Sequence, residues 1–241
     1  MKKNHNKLNV LISLAIGVVV ITTGLLISQN ANAYNKTGEE IKQLNGIDSV
    51  ETNKNSKLYA DIENVKLNAG FDFKVPDYVI DGNRPFGYHI RKISDSSNAV
   101  QIAFNNDERN NNKFSIFMFK GEAGESLKKI NESRNNTDNN QDIQVNEQNM
   151  NINNIKGRCI ELIISDIESN NSDGNLFDSE CVKYFVWEDE GVSYAIEYSS
   201  IFIGDRVMGA SLSQEEIGKI AESLKQLNEI KNVDYTIDIS K

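Results

Sequence analysis

Few residues in this chain can do chemistry, and their spacing limits what that chemistry could be. His89 is the only histidine besides His5 near the start. It sits in "GYHIRKIS" between Tyr88 and Ile90. A Ser-His-Asp arrangement would have to use it, whereas a lone histidine in a strand-like run is expected to be a packed or surface side chain. The two cysteines are Cys159 and Cys181. With one histidine they offer no C-x-x-C or H-E-x-x-H spacing, so no zinc site is expected. Two readings of the thiols stay open: one disulfide in an oxidising location, or two reduced, buried side chains. A bridge would close a loop of 23 residues and contribute about 3 kcal/mol on the chain-entropy view. In "WEDEG" the acids Glu188, Asp189 and Glu190 follow Trp187, the only tryptophan. Adjacent carboxylates with no partner base do not make an acid/base pair. The stretch "SNNSDGNLFDSE" partly matches a calcium loop, with Asn171 at position 3, Asp173 at 5, Gly174 at 6 and Glu180 at 12. Ser169 stands at position 1, where aspartate is usual, and the flanks "CIELIIS" and "CVKYFVW" suit strands rather than helices. The calcium candidate is thus Asn171, Asp173 and Glu180, and its alternative is a solvated loop. Neither G-x-x-x-x-G-K-[S/T] nor G-x-G-x-x-G occurs, so no cofactor is expected.

The elements that would position these residues read as strands followed by a helix. "AGFDFKVPDYVIDG" alternates apolar and polar residues and stops at Pro76, which suits an edge segment or turn. "GYHIRKIS", "NAVQIAF" and "KFSIFMF" are rich in β-branched and aromatic residues, with polar turns between them. "GESLKKINES" reads as a short helix, with Leu127 and Ile130 three apart. "QNMNINN" and "KGRCIELIIS" predict two strands around a turn at 153–157, and "CVKYFVW" and "VSYAIEYSS" two more. Asp189-Glu190-Gly191 suits a three-residue hairpin loop with Gly191 left-handed. That register puts Val182, Tyr184 and Val186 on one face with Val192, Tyr194, Ile196 and Tyr198. "SQEEIGKIAESLKQLNEI" (213–230) opens with a Ser213/Glu216 capping box. An apolar stripe then runs through Ile217, Ile220, Ala221, Leu224 and Leu227. The fold class is α+β: a curved antiparallel sheet of about six to seven strands, with the C-terminal helix packed on one face.

The start of the chain carries an address. A basic head with Lys2, Lys3 and Lys7 precedes the uncharged run Leu8–Ile27, and Ala31-Asn32-Ala33 follows. These are the three parts of a secretory signal peptide. The apolar run is also long enough to span a bilayer, so cleavage after Ala33 and a retained anchor both stay open. Either way the rest of the chain lies outside the cytoplasm. The expected organisation is 1–33 signal or anchor, 34–69 polar linker with possible short helices, 70–230 folded domain and 231–241 tail. The whole chain holds 26 basic and 35 acidic residues. Without the three N-terminal lysines the basic count is 23, a formal charge of −12. Such a surface repels phosphate backbones, so nucleic acid is not an expected partner.

"FDFKVPDYVIDG", "INNIKGRCIE", "KYFVWEDEGVSYAIEY" and "SQEEIGKIAESLK" occur in that order. Together they resemble the bacterial family called domain of unknown function 4367. Its motifs are V-P-x-x-x-P-x-G, G-x-x-G, W-x-x-x-G-x-x-Y and S-x-E-E-I-x-x-I-A-x-S-[L/I]. Val75, Pro76, Gly157, Trp187, Gly191, Tyr194, Glu216, Ile217, Ile220, Ala221 and Ser223 match them. Ile80 stands where the second proline is usual. The resemblance covers about residues 70–226. It implies an exported α+β domain like those ending lipoprotein-carrier-like sporulation proteins, or following the membrane span of anti-sigma-like regulators, in spore-forming Gram-positive bacteria. It implies no catalytic residue. The resulting expectation is a non-enzymatic envelope module that binds or senses an envelope protein. The alternative is a carrier of a lipid or other apolar ligand, by fold analogy. A carrier needs a cavity lined by groups such as Phe117, Phe119, Tyr194 and Ile196.

Overall fold

The computed structural model describes residues 49–105, 114–135, 141–166, 179–202, 206–207 and 212–237. Within them lie strands β1 (Ser49–Asn53), β2 (Ser56–Tyr59), β3 (Val75–Pro76), β4 (Arg84–Ser94), β5 (Ser97–Asn105) and β6 (Phe114–Phe119). Further along are β7 (Gln141–Ile152), β8 (Ile155–Asp166), β9 (Ser179–Asp189), β10 (Val192–Phe202), β11 (Arg206–Val207) and β12 (Leu224–Lys225). The helices are α1 (Ile62–Ala69), α2 (Ala123–Asn135) and α3 (Gln214–Glu222). The molecule is mostly an open antiparallel sheet with three helices, an α+β architecture.

Nine strands follow the order β1-β2-β4-β5-β6-β10-β9-β8-β7, and β11 pairs with the far end of β10. Six or seven strands were expected. The surplus comes from polar segments whose apolar alternation is too thin to announce a strand. One is the hairpin 49–59, read from sequence as part of a linker. β7 was expected at "QNMNINN" but begins seven residues earlier. One of the short helices considered for 34–69 is α1, capped by the Asp61 side chain accepting from the Glu63 N–H at 2.9 Å.

Both faces of the sheet are buried, so its central strands carry apolar residues on both sides. On one face α2 brings Ala123, Leu127 and Ile130 against Phe117, Phe119, Leu162, Tyr184 and Val186. Glu122 caps α2, accepting from the N–H groups of Gly124 at 2.9 Å and Glu125 at 2.6 Å. On the other face Ile62 and Val65 of α1 and Ile217, Ile220 and Ala221 of α3 share one buried cluster with Tyr88, Ile102, Phe185, Trp187 and Tyr194.

Two elements differ from the sequence reading. The β9–β10 turn is two residues long, Glu190 (φ 50°) and Gly191 (φ 75°), with Val192 opposite Asp189. Tyr194 therefore faces Trp187, and Ile196 faces Phe185. That is a one-residue slip from the expected register, and it sends Tyr184 and Tyr194 to opposite faces. The C-terminal helix stops at Glu222 rather than near 230. Its capping box is present, with Ser213 Oγ accepting from Glu216 N at 3.2 Å and Glu216 Oε2 accepting from Ser213 N at 2.8 Å. After it, Leu224 and Lys225 pair with Pro76 and Val75, and the Ser223 carbonyl accepts from Asp77 N at 3.0 Å. Strand pairing with this distant segment takes the place of two further helical turns.

Residues 231–237 are not a loose tail. The Asp77 carboxylate accepts from Lys231 N at 2.8 Å, Asn232 N at 2.7 Å and Lys225 Nζ at 2.6 Å. Tyr235 is buried, donates to the Pro76 carbonyl at 2.7 Å and accepts the Tyr88 hydroxyl at its own carbonyl.

Candidate functional site

His89 projects from β4 to the α2 face, opposite Leu58 of β2 and Gln101 of β5. It is buried, and its Nδ1 has no hydrogen-bond partner. Burial, reinforced by the Arg91 and Arg134 charges, holds its pKa well below the ordinary histidine value. The imidazole is therefore neutral near pH 7. A polar chain crosses the sheet beside it. Arg91 Nε donates to Gln101 Oε1 at 2.7 Å, and Gln101 Nε2 donates to Ser115 Oγ at 2.9 Å. Further along, Asn131 Nδ2 of α2 donates to the Tyr184 hydroxyl at 3.0 Å. Arg134 pairs with Glu197 at 2.7 Å, and its guanidinium stands over the Phe117 ring. Burial opposes the Arg134 charge, but Glu197, Tyr184 and Glu180 outweigh it and raise its pKa. Asn131 and Arg134 tie α2 to β9, β10 and β6, and the sequence reading passed over Arg91, Gln101, Ser115, Asn131, Arg134 and Glu197. A signal existed: polar residues at core-facing positions of otherwise apolar strands, as at Arg91, Gln101 and Glu197.

The cysteines lie on neighbouring strands but out of step. Cys159 is opposite Phe185, and Cys181 is opposite Ile163. Four positions along a strand is roughly 13 Å, whereas a disulfide needs Cα atoms within about 7 Å. The bridge considered from sequence is therefore not made, and both thiols are free. Cys181 donates to Glu161 Oε1 at 3.2 Å, and Cys159 Sγ lies 3.2 Å from the Tyr198 hydroxyl. Burial, with Glu161 second, pushes the Cys181 thiol up to about 11. A protonated thiol beside a carboxylate is a poor nucleophile.

The acids of "WEDEG" are not simply solvated. Lys74 reaches Asp189 Oδ2 at 2.8 Å and Glu190 Oε1 at 3.0 Å. Hydrogen bonds to Asp189 and then Glu190 raise the lysine pKa. The Lys74 N–H donates to the Tyr194 hydroxyl at 2.9 Å. The hairpin tip thus grips the chain next to Val75, and Trp187 stacks between Phe185 and Tyr194 at centroid distances of 5.6 and 5.5 Å.

Asn171 and Asp173 of the calcium candidate lie outside the described residues. Glu180 sits within β9, and the flanks are strands β8 and β9, not the helices of an EF-hand. Among the described residues no group of three or more His, Cys, Asp or Glu is placed to hold a metal ion. The lining sketched for an apolar carrier does not form one surface. Phe117 and Phe119 belong to the α2 face, Tyr194 and Ile196 to the opposite face, and all four are buried.

A polar hollow of about 260 Å³ remains between the β1–β2 hairpin, α1 and the ends of β4 and β5. Lys57, Lys92, Asn68 and Asn98 line it, with Tyr59 and Ile90 among its walls. Lys57 pairs loosely with Glu51 at 3.7 Å, and Lys92 with Asp95 at 3.0 Å. Each ammonium carries three donors, so one carboxylate leaves N–H groups for a ligand's oxygens. The hollow presents hydrogen-bond donors, and it brings together residues that no motif links. No family model matches the chain, and neither a search of curated proteins nor one of solved structures finds a match.

Proposed function

We infer that this chain is a non-enzymatic binding or sensing module of the cell envelope, working outside the cytoplasmic membrane. Residues 8–27 are its export signal or its anchor. The observation that carries the reading is the basic head, uncharged run and Ala-x-Ala order of the first 33 residues. The geometry supports it from another side. Cys181 donates to Glu161 and Asp189 holds Lys74, so these suggestive residues tie elements together, and His89 is buried under α2. In this reading α3 and the terminal segment cover one face of the sheet, and the polar hollow near β1 is the ligand contact.

Fusing a reporter enzyme that is active only outside the cytoplasm to Lys241, and fractionating the cells, tests the location. The expected result is an active reporter on either a membrane-bound full-length chain or a secreted form starting at Tyr34. A cytoplasmic chain with an intact N-terminus and a silent reporter overturns the proposal.

A further inference from the structure

The two edges of the sheet are built differently. β1 is short, with five residues, an irregularity between Glu51 and Asn53, and a Glu51–Lys57 ion pair beside it. Such features are how proteins keep an edge from recruiting another strand. β7 at the other edge is neither short nor irregular. It runs twelve residues, and every one pairs with β8 in unbroken register. It contains no lysine, arginine, proline or glycine. Among the described residues no backbone bond reaches β7 from any element except β8. Alternate residues of an antiparallel strand turn their N–H and C=O groups away from the neighbour, so about six residues of β7 present an open ladder.

The side chains on this edge suit a copy of themselves. Five of the eleven from 142 to 152 are carboxamides: Gln144, Asn146, Gln148, Asn149 and Asn151. A carboxamide both donates and accepts, so identical rows can bond to each other. Of the two acids, Glu147 is held by Arg158 of the same sheet at 2.8 Å, which leaves Asp142. Val145, one of two exposed large apolar residues among those described, lies in the same row.

We propose that β7 is a homodimer interface, at which two copies of this chain join β7 to β7 antiparallel about a two-fold axis. A two-fold axis perpendicular to the sheet keeps faces matched and makes such pairing isologous. With the axis at Asn146, that residue meets its own counterpart, Gln144 meets Gln148, and Glu147 meets Val145. No carboxylate then faces its like, a juxtaposition that would destabilise the pair. The result is one sheet continuous through both copies.

The test uses the full chain, in detergent where it is membrane-bound, with Cys159 and Cys181 replaced by alanine. Asn146→Cys is expected to give a covalent dimer on mild oxidation, whereas Asn53→Cys at the opposite edge gives none. Sedimentation of the unmodified chain is expected to give twice the monomer mass. Gln144→Lys with Gln148→Lys sets four ammonium groups across the axis. It is expected to return the mass to one copy while leaving the circular dichroism spectrum unchanged. A monomeric unmodified chain overturns the proposal. A dimer that survives the lysine pair, or cross-linking through Asn53→Cys at an equal rate, places the interface elsewhere and overturns it too.

Discussion

One added methyl group on Gly157 would have nowhere to go. A Cβ there would stand 2.5 Å from the Val186 carbonyl oxygen and 2.7 Å from the Phe185 ring. Gly157→Ala is expected to cost about 1–3 kcal/mol, seen as a lower urea midpoint with an unchanged slope. Gly191 has open space around it, but its φ of 75° disfavours any side chain. His89 gives a pH dependence whose sign is fixed. Its folded pKa lies below the unfolded value near 6.5, so the unfolded chain takes up the proton first. Stability is complete above about pH 6.5 and falls below it by about 1.4 kcal/mol per unit. His89→Asn is expected to flatten that slope between about pH 6.5 and pH 5, above the range where the carboxylates titrate. If both proteins lose stability equally over that range, the histidine is not the source. The cysteines give a third check. Unfolded without reductant, the chain is expected to release two thiols to a colorimetric reagent. Folded at neutral pH, Cys181 should react far more slowly than a free thiol, as a pKa near 11 requires. A count of zero in the unfolded chain would restore the disulfide.

At the scale of elements, Asp77 decides how the terminal segment is held. The carboxylate is buried and joins β3 to residues 225–232, and the Lys225 ammonium, then the Lys231 and Asn232 N–H groups, hold it well below the usual range. Asp77→Ala is expected to abolish hydrogen-exchange protection at the Lys231 and Asn232 amides while leaving the β9–β10 ladder protected. Equal loss in both places would mean that the segment and the sheet unfold together. The sequence was legible where side-chain pattern and local bonds agree. The Ser213 capping box, α2 and the strands of "KFSIFMF" and "CVKYFVW" fall within a few residues of their expected places. It was illegible where distant partners decide. Leu224 and Leu227 continue the helical stripe of α3, yet Val75 and Pro76 draw residues 224–225 into a strand. The hairpin register could not be read from one face, because both faces of β9 are core. β1 and β7 were missed or cut short because edge strands need no apolar alternation, and β2 because it has only four residues. Of the candidate groups, His89 and the cysteines stood out by residue type. The chain from Arg91 through Gln101 to Ser115 required knowing which strands are neighbours.

For the whole molecule, the strand order divides the sheet into two runs of sequence neighbours. One is β1 to β6, apart from β3, and the other is β7 to β10; β6 and β10 join them at the centre. Each run is local in sequence, and Ser115–Phe119 against Ser193–Glu197 is the seam. The second face closes only when the end of the chain returns. Asp77 and the Asn232 N–H that it binds are 155 residues apart, a span whose closure entropy grows only logarithmically with length. A chain ending at Ile230 is expected to bind a hydrophobic dye strongly and to be cleaved early by protease, because Tyr88 and Tyr235 no longer close the core. If it unfolds at the same urea concentration as the full chain, the terminal segment is dispensable. The same tie sets a timetable. Synthesis delivers residues 49–222 before the segment that locks them, so a chain still leaving the ribosome holds one half-finished face. Completion of that face waits on the arrival of residues 231–237.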